Sequence, residues 1–578
     1  MSKLEPIYQQ LCSPLASELL SIHPNDLAAS GFQLPGIWKG WWEWATSIDD
    51  ENTPYFPRWM SILHYYSATP DDQRTGNQVP SNKSSVGLLC DDRRIPPDLK
   101  VLIDDTVRIQ LNRDRISIGN TSESGNAHRS YGMSPKKEHE VSRMSGYIDQ
   151  LLCPGSTDTL SHVVDVGSGQ GYLSRALQNL GFHVLALDSN EIQTSGAERW
   201  KAKEAARRQK QFKRGNDVQS LPDSQHHCND PLFQSHVATS VPSASIASKN
   251  IIHSRTGSLT HQTICINPRT LESSIHDWLL FGEDNQIAGC TNMIGDLLVD
   301  RTEQRTPEEK PVPVMMVALH ACGSLTPDVL RVFLSNYRRP SAPGIRIWTA
   351  QALVVVGCCY NLMASEDFPL SRSLRERVPV ATLPLSSRHL AAQIPSQWLR
   401  NETSTRETSL AIRKVVFRAL LQPVLQKIGA LEASANHTAT SSYDVEELRG
   451  VGQTPENRRL GKLPDAAYKD WETFLDRATS KIGVRLDQIA TQLPVYIHDK
   501  RRRMQLESAL SVLHVLRCIM GPLIESLILL DRHEWIREES SRSSETQESS
   551  PMDVELVNLF DQATGSGRNV AIVIKPCE

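Results

Sequence analysis

Short unbroken apolar runs alternate with amphipathic stretches through the middle of the chain. His162 to Asp165, with Val163, Val164 and then Val166, is too short and too β-branched for a helix and predicts a buried strand. Gly167, Gly169 and Gly171 break it, and Tyr172 to Leu177 resumes with helical spacing. A second such run, His183 to Leu187, ends in Asp188, one strand-helix-strand unit further on. For the third strand two runs qualify, Thr260 to Pro268 and Thr291 to Leu298, and the first is preferred. Val312 to Leu319 and Ala352 to Val356 are further buried strands, each followed by a turn of small polar residues; a helix starts near Pro327. Near the C-terminus, Ile524 to Asp531 and Arg568 to Pro576 read as two last strands, which predicts a seven-stranded sheet ending in an antiparallel edge pair.

Helical patterns surround these strands. Residues 1–66 form a helical, aromatic-rich region with Trp38, Trp41, Trp42, Trp44 and Trp59, read as a packing face. Residues 67–97 are a polar linker, and 98–152 hold helices leading into a core at 160–370. In the last of these helices Ser134 is the N-cap, Pro135 stands in the first turn, and Val141, Met144, Ile148 and Leu151 or Leu152 form the apolar face. Within the core, 215–310 carries a disordered insertion. Residues 388–500 read as an inserted helical subdomain, and 501–578 as a helix and strands that complete the sheet, interrupted by a disordered acidic-serine stretch near 538–551.

Composition narrows the function classes. With 578 residues and 39% hydrophobic content the chain is long enough for several domains and a sizeable core. A net charge of −4 excludes a globally basic nucleic-acid coat, so any such contact must be local. One local run is conspicuous: Arg199 to Arg214 holds eight basic residues and one acidic residue. It is either an exposed helix face or a phosphate-tracking patch. The eleven cysteines show no paired framework, and no secretory signal precedes them. Reduced thiols in cytoplasm or nucleus are the expectation. The longest apolar tract, Ser508 to Leu530, is interrupted by His514, Arg517, Pro522 and Glu525, which argues against a membrane span.

The glycine spacing selects the ligand. A dinucleotide site would need G-x-G-x-x-G, and Tyr172 stands where the third glycine belongs. Asp165-x-Gly167-x-Gly169-x-Gly171 instead resembles the first motif of class I S-adenosylmethionine methyltransferases. In that setting Asp188 would accept both ribose hydroxyls, each bond being worth roughly 1.5–3 kcal/mol.

Larger signatures point the same way. Residues 133–141 (MSPKKEHEV), 163–177 (VVDVGSGQGYLSRAL), 319–331 (LHACGSLTPDVLR), 356–362 (VGCCYNL), 367–371 (DFPLS), 493–502 (LPVYIHDKRR) and 525–532 (ESLILLDR) together resemble the methyltransferase-like protein 25 family, which includes members called ribosomal RNA adenine dimethylase domain-containing. The resemblance implies an α/β class I methyltransferase (Rossmann-like) fold and S-adenosyl-L-methionine as cofactor. It implies a donor site of Asp165, Gly167, Ser168, Gly169, Gly171, Tyr172 and Asp188, and it draws Lys136, Lys137, His139 and Glu140 into the site region. Asp296 is a further candidate, facing the adenine. Gly565-Ser566-Gly567-Arg568-Asn569 replaces the family's usual Ser-Pro-Arg-Asn. The His320-x-Cys322-Gly323 and Cys358-Cys359 turns are also similar to a signature of eukaryotic tRNA 2′-O-methyltransferases, which raises RNA, ribosomal or transfer, as the partner.

A sulfonium donor arrives activated, so the protein has to align a nucleophile and remove a proton. The Asn-Pro-Pro-Tyr turn that grips an exocyclic amine is absent after Leu319, so adenine dimethylation is not supported. His320 is a candidate general base or a satisfied histidine at a strand end, and Tyr360 a candidate for stacking on or bonding to the acceptor. Cys322, Cys358 and Cys359 admit tight packing, metal ligation with His320, or a nucleophile for cytosine C5. Packing is preferred; adjacent cysteines make tetrahedral ligation awkward, and no metal or membrane is expected. Two rival functions remain, a protein methyltransferase and a non-catalytic binding module.

Overall fold

The computed structural model describes residues 3–28, 32–47, 56–68, 94–118, 133–152, 160–199, 257–282, 310–338, 347–377, 379, 382–438, 460–483, 494–544, 552–562 and 566–575. In chain order the helices used below are α1 (Leu4–Leu11), α2 (Pro14–Ser21), α3 (Lys39–Thr46), α4 (Arg58–Ala68), α5 (Pro97–Ile109), α6 (Pro135–Leu151), α7 (Tyr172–Asn179), α8 (Pro268–Phe281), α9 (Leu325–Arg338), α10 (Glu402–Thr438), α11 (Trp471–Ile482), α12 (Lys500–Ile519) and α13 (Gly521–Ser544). The strands are β1 (His162–Val166), β2 (His183–Asp188), β3 (Leu259–Thr263), β4 (Val312–Cys322), β5 (Trp348–Cys358), β6 (Val554–Asn558) and β7 (Val570–Ile574).

The seven strands hydrogen-bond in the order β3-β2-β1-β4-β5-β7-β6. β1 runs parallel to β2 and β4, β2 parallel to β3, and β6 antiparallel to β7. This is the α/β class I methyltransferase sheet. Its order reverses between β1 and β4, whose register places Asp165 opposite Val317, and such a reversal is where open α/β sheets bind ligands. The favoured third strand forms, ending at Thr263 rather than Pro268 because Asn267 caps α8 through its side chain and Pro268 opens the helix. The alternative at 291–298 lies outside the described residues.

The edge pair forms, but its first strand corrects the sequence reading. Ile524 to Asp531 is helical, part of α13, and the edge strand is Val554–Asn558. Leu523, Ile524, Ile528 and Leu529 are all fully buried, so this helix turn lacks a polar face and its sequence is as apolar as a strand's. Residues 538–544 of the expected disordered stretch also belong to α13.

Two compact units share the chain, and the division passes within α6, β4, α9 and β5. One contains residues 141–319 and 331–354, with a core of Val163, Val164, Val166, Leu177, Leu185, Met315 and Leu353 on strand faces and α7. The other contains residues 1–140, 320–330 and 355–577. Its core joins the N-terminal helices to α10, α11, α12 and α13, so the segment read as an inserted subdomain shares that core. Trp38 and Trp41 are fully buried with ring centroids 5.0 Å apart, and Trp42 stacks on Trp38 at 6.3 Å, the packing role expected of them. The stretch Lys500–Ser541 is long and apolar enough to cross a membrane, yet 89% of its apolar window is buried inside the protein, as in a core helix.

Candidate functional site

The glycine loop belongs to the smaller unit. Gly167 and Ser168 both donate their N–H groups to the Leu187 carbonyl, at 2.8 and 2.9 Å, which ties the loop to the end of β2. Gly167, Gly169 and Gly171 all adopt positive φ, which explains why the motif needs glycine. The two later glycines differ in what they face. A Cβ on Gly171 would stand 2.9 Å from Cε1 of His261, whereas one on Gly169 would meet nothing within 4 Å. Gly171 therefore serves packing, and Gly169 borders open space of the kind a ligand fills.

Asp188 closes the loop from the β2 end. Its Oδ2 accepts from the Gly169 N–H at 2.8 Å and its Oδ1 from the Asn190 N–H at 2.8 Å. A carboxylate oxygen has two lone pairs, so each keeps one for a diol ligand. Asp165 acts from beneath: its side chain is 1% exposed and accepts from Ser174 Oγ at 2.5 Å, holding the first turn of α7 in place. Tyr172 begins α7 with its ring under the Arg175 guanidinium, 5.0 Å from the centroid. These residues fit a nucleoside-bearing ligand. Asp296 lies outside the described residues.

In the larger unit a second cluster forms. Ser134 caps α6 by accepting the Lys137 N–H at 3.3 Å, which sets the register of the charged first turn. Glu140, 1% exposed, receives His320 Nε2 at 2.9 Å and Ser566 Oγ at 2.7 Å, with Lys136 Nζ 3.8 Å away. Burial pushes the Glu140 carboxyl up, but the bonds from His320 and Ser566 and the Lys136 charge outweigh it and leave the group below the ordinary carboxylate range. His320 is thereby oriented through Nε2. His139 accepts the Asp561 N–H at 3.2 Å and packs edge-on against Phe560, so it is engaged with the segment after β6. Ser566, which no motif singled out as a site residue, lies in the Gly-Ser-Gly segment flagged only as a departure from the family pattern.

His320 and Cys359 are the two non-glycine residues of positive φ among the described residues, at 73° and 48°. Such conformations cost on the order of 1–3 kcal/mol each and collect at functional sites. Between them Cys322 Sγ lies 3.1 Å from Cys358 Sγ. The hydrogen bond from Cys358 pulls the Cys322 thiol down to about 6, while the same bond and burial push Cys358 far up. Gly323, at φ 54°, packs so closely on Leu362 that a Cβ would come 2.6 Å from its carbonyl oxygen, locking the two turns together.

Tyr360 requires a correction. It is 1% exposed, donates its hydroxyl to Glu525 at 3.0 Å and lies under the Arg532 guanidinium. Glu525 in turn pairs with Arg113 at 2.6 Å. Both the ring face and the hydroxyl are used within the core, so Tyr360 supports the Cys358-Cys359 turn from below instead of meeting an acceptor. Burial raises its pKa well above the ordinary value, which keeps it neutral.

Comparison with known proteins gives a consistent result. A family described as "Methyltransferase domain" matches residues 136–366. The Homo sapiens protein named "Probable methyltransferase-like protein 25" is 23% identical over 510 residues, covering 77% of this chain and 75% of its own. The Mus musculus protein of the same name is 21% identical over 506 residues, with the same coverage. No solved structure matches.

Proposed function

We propose that this chain, which carries a methyltransferase domain and is similar along most of its length to proteins named probable methyltransferase-like protein 25, moves the methyl group of S-adenosylmethionine onto RNA. The observation that carries the donor assignment is the loop of Gly167 to Gly171: its backbone is held by Leu187 and Asp188, and the space above Gly169 is open. Asp188 would hold the ribose with its remaining lone pairs, and Gly169 would let the donor approach the backbone. S-adenosylmethionine, when bound, would supply an activated methyl group. Within its own unit His320 is the candidate base, its ring oriented by the bond between Nε2 and Glu140.

RNA as acceptor is supported by the two strand-end turns, which resemble those of tRNA 2′-O-methyltransferases, and by the basic run Arg199 to Arg214, of which residues 200–214 lie outside the described part. Lys136 and Lys137 add positive charge at the start of α6. The test compares modified nucleosides and methylated peptides by mass spectrometry between cells with and without the gene. Loss of a methylated nucleoside supports the proposal. Loss of a methylated peptide alone overturns the RNA assignment in favour of a protein acceptor, and no change in either favours a binding module.

A further inference from the structure

Three thiols converge in the larger unit, and the function proposed above uses none of them as a group. Cys322 ends β4, Cys358 ends β5 and Cys359 follows directly. Their sulfurs all lie within 4.8 Å of one another. Consecutive residues of an extended strand send their side chains to opposite faces, so two adjacent cysteines would ordinarily not reach one centre. Cys359 escapes this through its left-handed backbone, φ 48° and ψ 48°. The objection to joint ligation that the bare Cys-Cys pair raises is thereby removed.

From this convergence we propose that Cys322, Cys358 and Cys359 form a three-thiolate site for a zinc ion, with its fourth position open. Sulfur ligands select soft or borderline ions such as zinc over magnesium or calcium. Zinc–sulfur bonds of about 2.3 Å in tetrahedral geometry put sulfurs about 3.8 Å apart. The observed 3.1 Å between Cys322 and Cys358 therefore has to open by about 0.7 Å, while the third thiol is already within range. Each thiol gives up its proton to solvent as its sulfur–zinc bond forms, so no oxidant or reductant is needed. A disulfide between Cys322 and Cys358 would require the sulfurs to close to about 2.05 Å. It would leave the strained backbone of Cys359 without a purpose, and three-thiol ligation accounts for that strain.

The support is rigid. The Gly323 N–H donates to the Cys358 carbonyl at 3.0 Å, and Gly357 sits so close to Arg532, Thr326 and Tyr360 that a Cβ there would lie 3.0–3.3 Å from each. The buried Tyr360, Glu525 and Arg113 chain continues that support.

The test uses the full-length protein, purified under reducing conditions, exposed to zinc chloride and desalted. Elemental analysis should give one zinc per chain. Cys322→Ser, Cys358→Ser and Cys359→Ser should each lower zinc affinity at least about tenfold in competition with a chromophoric chelator, while Cys518→Ser, at a buried thiol elsewhere, should not. Because a serine variant could fail to fold, the wild-type protein is also titrated with cadmium, which should produce a thiolate-to-metal ultraviolet band, and zinc should protect these three cysteines from alkylation in peptide mapping. Zinc below a tenth of an equivalent, zinc retained at full affinity without Cys359, or a Cys322–Cys358 disulfide recovered from reductant-free protein would each overturn the proposal.

Discussion

Replacing Gly169 by alanine separates the ligand role of the loop from its folding role. The residue has φ 54°, so a Cβ costs about 1–2 kcal/mol in left-handed strain. No protein atom lies within 4 Å of that Cβ, so no packing penalty is added. Gly171→Ala carries the same strain at φ 66° and also forces the His261 ring, 2.9 Å away, to move. Gly169→Ala should therefore be the more stable of the two and yet lose S-adenosylmethionine, because the new methyl group enters the space the donor would fill. A drop of at least about tenfold in affinity, about 1.4 kcal/mol, is expected. Isothermal titration with S-adenosylmethionine, beside urea unfolding of both variants, reads the two effects apart. Gly169→Ala that melts near the wild type and binds the donor within twofold would refute the reasoning and remove the loop from the donor site.

Three further outcomes are expected. Arg517 is 1% exposed and donates to the carbonyls of Leu19, Leu20 and Ile22 at the end of α2 and of Ser386; Arg517→Met should cost at least about 3 kcal/mol in chemical denaturation, since these acceptors lose their partner. Burial pushes the Glu507 carboxyl up to about 7 despite the pull of Arg503, so the charged form is disfavoured in the fold. Relative to Glu507→Gln, the wild type should hold its stability below pH 4.5 and lose about 1–2 kcal/mol as pH rises through 7, the value being reduced because the side chain is 30% exposed. Arg207, Arg208 and Lys210 changed together to glutamate should weaken RNA binding and flatten its salt dependence while leaving donor affinity unchanged, read by filter binding at several salt concentrations; RNA binding indifferent to the change would return the run to a solvated helix face.

What the sequence by itself determined is what depends on neighbours along the chain. The strand, glycine turn and helix from His162 onward follow from local periodicity and from φ values that glycine adopts without strain, and Ser134-Pro135 marks the start of α6 through its own capping bond. The tertiary structure decided whatever depends on partners far away in sequence. Ile524 to Asp531 is helix, which periodicity could not signal because the segment is buried on nearly all sides, and Tyr360 turns inward, where it meets Glu525 and Arg532. Glu140 gains meaning from His320 and Ser566, 180 and 426 residues away. The three cysteines converge because β4 and β5 are neighbours in the sheet and Cys359 turns left-handed, a backbone state that residue type alone does not specify.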